Sequence, residues 1–146
     1  MSTESGEPIV WRIHLASPRE RVFEFLATDE GRARFWAESA VEGERGIKWC
    51  FPNGMVTTLE LLESTPPSRY SVRSLGRSAA TFTLTADGVG GTDLTLEDVG
   101  VPLAWRDETE AGWISVLLAL KAAVDFGVDL RNHDPDRTWD QRYADN

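Results

Sequence analysis

Cysteine, histidine and basic residues are scarce in this chain, and each scarcity excludes a class of protein. Cys50 is the only cysteine among 146 residues, which rules out an internal disulfide and suits a reducing compartment. With one cysteine and two histidines, no group has the spacing of a metal site, so we expect neither a metal nor another cofactor. Cys50 also has no nearby histidine to activate it as a nucleophile.

Positive charge is low as well. Fifteen Lys and Arg residues stand against 24 Asp and Glu, which gives a formal net charge of −9. Nucleic acids and anionic membranes are polyanions, so we expect neither as a partner. The longest apolar run, residues 111–120, is too short to span a bilayer. The polar opening MSTESGEP has no signal-peptide character, so we expect a cytoplasmic protein with a flexible N-terminus over residues 1–8.

Catalytic and nucleotide-binding signatures are also missing. The sequence has no phosphate-binding loop, no dinucleotide fingerprint and no nucleophile elbow. The glycine-rich DGVGG at 87–91 is typical of a hairpin turn. What the chain has in excess is tryptophan, with six residues, and large aromatic side chains usually line cores or pockets. The length fits a single domain with one core.

Alternation of apolar and polar residues predicts strands over most of the chain. The segment IVWRIHL at 9–15 has the period of a half-buried strand. Turn signals such as PNG and TPPS separate the later segments, and connections this short make neighbouring strands antiparallel. Six further strands are predicted, at 38–44, 46–51, 55–64, 69–75, 79–86 and 92–99.

Helical periodicity predicts three helices. Ser17 and Glu20 form a candidate capping box for a helix over 18–27, and a second short segment covers 30–35. A long helix is predicted over 107–127, and it is apolar around more of its circumference than a surface helix allows. Its bulky stripe consists of Trp113, Val116, Leu117, Leu120, Val124 and Val128.

The order of elements, one strand, two short helices, six strands and a long helix, indicates an α+β domain with helices on one face of the sheet. A twisted sheet of this size curls and leaves a concave side for the long helix. Four segments carry a family pattern: IHLASPRERVFEFLATDEGRARFW (13–36), TPPSRY (65–70), TFTLTADGVGGTDLTLEDVGV (81–101) and AGWISVLLALK (111–121). In these segments the sequence resembles the START-like, or SRPBCC, superfamily, and within it the proteins named after the activator of the ninety-kilodalton heat-shock chaperone's ATPase.

The resemblance implies a helix-grip fold over residues 9–128, with a curved antiparallel sheet of about six to seven strands around the long helix. Residues 129–146 form a C-terminal extension, in which Asp134 and Pro135 are typical of the start of a short helix. Trp139 and Tyr143 would share one face of that helix. We therefore expect the extension to dock on the domain or to pair with a second copy of the chain.

The superfamily usually holds an apolar cavity between the sheet and the long helix. The resemblance therefore implies that the protein binds a small hydrophobic or amphipathic molecule there, without catalysis. The alternative is that the inward side chains simply pack against one another. The candidate ligand-binding residues are Trp36, Trp49, Phe51, Met55, Leu59, Phe82, Leu96, Asp98, Trp105, Trp113 and Leu117.

Asp98 is the one charged residue in this set. It has the same strand parity as Leu94 and Leu96, so a regular strand turns it inward, where burial raises the pKa of an unpaired carboxyl group. The alternative is that a bulge or strand end near Val99 turns it to solvent.

Two other functions stay open. A cyclase or aromatase-type enzyme, known in this superfamily, needs polar groups such as Asp98, Thr57 and Tyr70 to converge in the cavity. A co-chaperone that stimulates a chaperone ATPase is implied by the family name, although this chain looks like the single domain alone.

Overall fold

The computed structural model describes residues 6–146, so most of the predicted flexible N-terminus lies outside the described residues. Eight strands and three α-helices follow one another along this part of the chain. Short 3-10 turns lie at Leu75–Arg77, Leu103–Trp105 and Trp139–Gln141. The strands and helices are β1 (Ile9–Leu15), α1 (Arg19–Ala27), α2 (Asp29–Ala33), β2 (Ser39–Gly43), β3 (Gly46–Cys50), β4 (Val56–Leu59), β5 (Leu61–Thr65), β6 (Arg69–Arg73), β7 (Ala79–Ala86), β8 (Thr92–Val99) and α3 (Arg106–Phe126).

The strands form two antiparallel ladders, in the orders β1-β8-β7-β6-β5 and β2-β3-β4. The predicted strand over 55–64 is divided at Glu60 into β4 and β5, and this division is where one ladder passes into the other. The Glu60 carbonyl accepts a hydrogen bond from the Arg73 backbone at 2.9 Å. The α+β helix-grip fold is confirmed, with eight strands where six to seven were expected.

The long helix α3 packs its inner face against the sheet. Its buried residues are small or apolar and recur at helical spacing. The helix ends at Gly127, whose φ of 67° is left-handed. The amides of Gly127 and Val128 donate hydrogen bonds to carbonyls of the last turn of the helix. Among residues 6–146, no helix is both long and apolar enough to cross a bilayer. The buried residues of α3 are Trp113, Leu117, Ala119, Leu120, Ala123 and Val124.

The turn into α1 is fastened to the C-terminal end of α3. The helix begins after Pro18 without a side-chain cap, so the predicted Ser17 capping box is wrong. Ser17 faces α3 instead, where its hydroxyl lies 2.8 Å from an oxygen of Asp125. The Ala16 amide donates to the other oxygen of Asp125 at 2.9 Å. This carboxylate therefore joins the first connection of the fold to its last helix.

Arg32 joins the short helices to the sheet. Its side chain is completely buried and donates to the Ala40 carbonyl at 3.0 Å, to the Leu26 carbonyl at 3.2 Å and to the Tyr70 hydroxyl at 3.1 Å. It also pairs with Asp29 on its own helix. A buried guanidinium is tolerated here because each side of its planar fork meets an acceptor.

Candidate functional site: an aromatic interior

Five aromatic rings meet between the sheet and α3, and we call them the aromatic cluster. Trp36 is at its centre, with ring centroids 4.6 Å from Trp49, 5.3 Å from Phe82 and 6.0 Å from Trp113. Phe51 is stacked on Trp49 at 6.1 Å with planes only 4° apart. Phe82 and Trp113 are also in contact, edge to face at 5.8 Å. Aromatic pairs prefer stacked and edge-to-face geometries of this kind.

Different kinds of element position these rings. Phe82 and Trp113 are buried on β7 and α3, both of which are regular. Trp49 is buried on β3 by the same alternation that buries Ile47. Trp36 lies on the irregular segment between α2 and β2, where its amide donates to the Arg32 carbonyl at 2.8 Å. Trp36 is therefore the central ring, and like Phe51 it lies outside the regular elements.

The aromatic cluster lies in the space in which an open cavity was expected. Two surface pockets of the described chain lie elsewhere. One is on the outer face of the sheet, beside Arg12 and His14. The other is a surface groove of about 390 Å³ between β4 and the turns that carry Gly76 and Trp105. Neither pocket is lined by residues of α3.

Asp98 is turned inward and is completely buried. Strand β8 stays regular, with Asp98 opposite Ile9 on one side and Ala80 on the other, so the alternative of a bulge towards solvent is wrong. The Trp113 indole donates to Oδ2 of Asp98 at 2.8 Å. Burial raises the pKa of this carboxyl group, while the nearby Ser78 hydroxyl and the Trp113 indole act in the opposite direction.

Three buried polar atoms near this interior have no hydrogen-bond partner among residues 6–146. They are Oδ1 of Asp98, the hydroxyl of Ser78 and the indole nitrogen of Trp49. Ser78 is close enough to Asp98 to favour the charged carboxylate, yet its geometry does not complete a hydrogen bond. Buried polar groups are paired in the great majority of cases, so each of these atoms needs an explanation.

The structure brings most of the predicted ligand-binding residues together and leaves a few apart. Trp49, Phe82, Leu96, Asp98, Trp113 and Leu117 are buried, and Trp36 and Phe51 are partly buried beside them. Leu59 packs against the core and also borders the surface groove. Met55 and Trp105 are 42% and 50% exposed. Both lie in connections between elements, where the parity of a strand does not fix the direction of a side chain.

The three polar residues that a cyclase or aromatase-type enzyme would need to bring together have different surroundings. The hydroxyl of Tyr70 accepts from Arg32, Thr57 borders the surface groove, and Asp98 pairs with Trp113. In the described part of the chain, no group of three or more His, Cys, Asp or Glu side chains is placed to hold a metal ion.

Sequence reasoning did not single out Ser78 or Arg131. Ser78 precedes β7 and belongs to no motif, but it is two residues before inward-facing Ala80, and that parity was a usable signal. Arg131 contacts residues 94 and 98 positions earlier in the chain, and no local pattern indicates such a contact.

A curved antiparallel sheet with a long C-terminal helix packed against it defines the START-like class of helix-grip domains. The chain belongs to the family of activator of Hsp90 ATPase homolog 1-like proteins, whose sequence model matches residues 16–125. No significant match was found among curated proteins.

Several solved structures share the fold. Protein SSP2350 from Staphylococcus saprophyticus is 21% identical with a TM-score of 0.73, over 85% of this chain and 96% of that one. The Aha1 dimer from Colwellia psychrerythraea is 19% identical with a TM-score of 0.69, over 84% of this chain and 98% of that one. DynU16, from the dynemicin biosynthetic locus, is 20% identical with a TM-score of 0.71, over 86% of this chain but 49% of its own. These likenesses show the fold, and pairing of two copies of this chain stays a prediction.

Proposed function

We propose that this protein binds a small hydrophobic or amphipathic molecule between the sheet and α3, in the space that Trp36 fills. The observation that carries the proposal is the indole nitrogen of Trp49, which is buried without an acceptor. An unpaired buried donor costs about 1–3 kcal/mol, and a ligand oxygen beside it removes that cost. The rings around Trp49 supply the apolar surface that such a ligand needs.

Trp36 is the side chain suited to make room. It touches Trp49, Phe82 and Trp113, so its departure opens a space lined by three aromatic rings. It is partly exposed and lies on an irregular segment, so it can turn outward without breaking a helix or strand. A space lined mainly by aromatic rings can accept a small aromatic molecule.

The polar atoms define the class of ligand. Trp49 offers an unpaired N–H and Asp98 offers an unpaired oxygen, and both residues adjoin Trp36 directly or through Trp113. A flat apolar body with one or two hydroxyl or carbonyl groups matches this pattern. The START-like fold supports the proposal, and DynU16 adds a relative of this fold in a biosynthetic locus. The proposed site consists of Trp36, Trp49, Phe51, Phe82, Leu96, Asp98, Trp113 and Leu117.

Titration of the wild-type protein with 1-naphthol, followed by the NMR signals of the tryptophan indole N–H groups, tests this proposal. We expect saturable binding that shifts the signals of Trp36, Trp49 and Trp113. The Trp49 signal should move downfield, because its N–H gains an acceptor. Naphthalene, which lacks the hydroxyl, should bind more weakly and should not move the Trp49 signal downfield.

The surface tryptophan Trp105 is the matched control. Trp105→Phe should leave the affinity for 1-naphthol unchanged, whereas Trp36→Phe should change it, because only Trp36 occupies the proposed site. Absence of binding would overturn the proposal. So would binding that shifts the Trp105 signal alone, since the ligand would then lie in the surface groove.

A further inference from the structure

The C-terminal segment, residues 129–146, lies against the part of the fold that carries Trp36. The family match ends at residue 125, so this segment lies outside the matched residues. It leaves α3 at the left-handed Gly127 and closes on itself, with the Asn132 amide donating to the Asp145 carbonyl at 2.7 Å. The segment is therefore a small folded loop with its own internal hydrogen bonds.

Arg131 anchors this loop to the two carbonyl groups that flank Trp36. Its Nη1 donates to the Ala37 carbonyl and its Nη2 to the Ala33 carbonyl, each at 2.8 Å. The side chain of Arg131 is only 6% exposed, and Asp129 neutralises its charge at 2.9 Å. A guanidinium that spans two carbonyls in this way restrains the backbone between them, because its planar fork is rigid.

Three further contacts join the C-terminal loop to the domain. His133 meets Glu38, two residues after Trp36, at 2.9 Å. Trp139 lies beside Gly112, where an added Cβ would come within 3.8 Å of its ring. Asp140 accepts from Asn53 in the turn after Phe51, at 3.3 Å. The loop thus touches the segment that carries Trp36, the helix that carries Trp113 and the turn that follows Phe51.

We propose that residues 129–146 are a strap that holds Trp36 inside the aromatic cluster and sets how readily it moves out. This inference rests on the proposed function only for the identity of the molecule that enters the interior. Within the segment between α2 and β2, the amides of Trp36 and Glu38 bond to the Arg32 and Cys50 carbonyls. Arg131 provides the outer restraint on the same backbone, and its release frees the carbonyls on both sides of the ring.

Hydrogen exchange of the Trp49 indole N–H tests the strap without any ligand. This N–H is buried against Trp36, so it exchanges with solvent when Trp36 moves out. We expect Arg131→Gln to exchange about tenfold faster than wild type, because glutamine can keep one of the two carbonyl hydrogen bonds and each bond of a charged group is worth about that factor. Arg142→Gln, which changes an exposed arginine of the same loop, should exchange at the wild-type rate.

Two further measurements separate the strap from other effects. The backbone amide of Leu120, buried in α3, reports unfolding of the whole domain and should change less than the Trp49 indole in Arg131→Gln. Arg131→Lys keeps the charge without the fork and should give an intermediate rate. Equal exchange in all variants, or equal acceleration at Leu120 and Trp49, would overturn the strap.

Binding of 1-naphthol distinguishes the strap from the proposed function. If both hold, the association rate rises about tenfold in Arg131→Gln, in step with the exchange rate. If 1-naphthol binds no variant while the Trp49 exchange still accelerates, the strap stands and the binding function fails. If 1-naphthol shifts the Trp36 signal but its association rate is the same in all variants, the function stands and the strap fails.

Discussion

Trp113 donates its indole hydrogen to Asp98 at 2.8 Å, and this bond joins the long helix to the last strand in the middle of the protein. Both residues are buried. The second oxygen of Asp98 is unpaired, so the carboxyl group is held on one side only. Burial opposes the charged form of this carboxyl group, and the hydrogen bond from Trp113 favours it.

Asp98→Asn should therefore flatten the pH dependence of stability. Burial raises the pKa of Asp98 above its ordinary value of 3.8. Its contribution to the free energy of unfolding is fully present below that value and is lost as pH rises through the raised pKa. Asparagine stays neutral and keeps an oxygen for Trp113, so we expect Asp98→Asn to be more stable than wild type at neutral pH. Urea unfolding at several pH values measures this gain.

The control for Asp98 is Asp93→Asn, which changes an exposed carboxyl group on the same strand. It should leave the free energy of unfolding within about 0.5 kcal/mol of wild type. A lower stability of Asp98→Asn than of wild type at neutral pH would contradict this prediction and show that hydrogen bonds stabilise a charged Asp98.

Arg32→Lys should destabilise the protein by about 3 kcal/mol. Lysine keeps the charge, but its single ammonium group cannot reach the Ala40 carbonyl, the Leu26 carbonyl and the Tyr70 hydroxyl together. Buried acceptors then lose their donors, which is among the costliest changes in a core. Guanidinium-induced unfolding measures the loss. Arg45→Lys, in an exposed turn, is the matched control, and an equal effect of the two variants would contradict the role of Arg32.

The carboxylate of Asp125 should stabilise the fold at neutral pH and lose this effect in acid. Burial acts to raise its pKa, but the hydrogen bonds from Ala16, Ser17 and Lys121 outweigh it, and the pKa is lowered below 3.8. Its contribution is present above that value and is lost as pH falls through the lowered pKa. Asp125→Ala should cost about 2 kcal/mol at neutral pH. Combined with Ser17→Ala it should cost less than the sum of the two, because the changes remove a shared bond.

The strap should hold Trp36 less firmly as pH rises. The hydrogen bonds of His133 to Asp129 and Glu38 raise its pKa above 6.5, against burial and the nearby charge of Arg131. The charged pair with these carboxylates is complete below 6.5 and is lost as pH rises through the raised pKa. The pH dependence of exchange includes an intrinsic chemical part, so we compare wild type with His133→Gln at each pH. The ratio of their Trp49 exchange rates should approach one at high pH, and a constant ratio would contradict this role for His133.

Strand alternation predicted the inward residues well wherever a strand is long and regular. Phe82, Leu96 and Asp98 are buried because β7 and β8 each run for eight residues without a bulge. The same reasoning does not apply to Met55 and Trp105, which lie in connections. Alternation also gives the direction of a side chain and not the volume left between facing side chains. For that reason the free volume of the interior could not be predicted from the sequence.

Long-range polar contacts were the other limit. Ser17 matches the local pattern of a helix cap, yet its hydroxyl bonds to Asp125, 108 positions away. Arg32 reads as an ordinary surface arginine of a short helix, and only the approach of β2 and β6 buries it. Such contacts depend on the assembled fold, because the partners come from distant parts of the chain.

The geometry of Trp36 and Trp49 gives the molecule an optical signal of its own. Their indole rings are 4.6 Å apart with planes inclined at 58°, so their electronic transitions couple and should produce an exciton couplet in circular dichroism. The couplet disappears when the two rings separate. Separation of Trp36 from Trp49 can therefore be followed in unlabelled protein, including in the presence of added molecules that do not fluoresce.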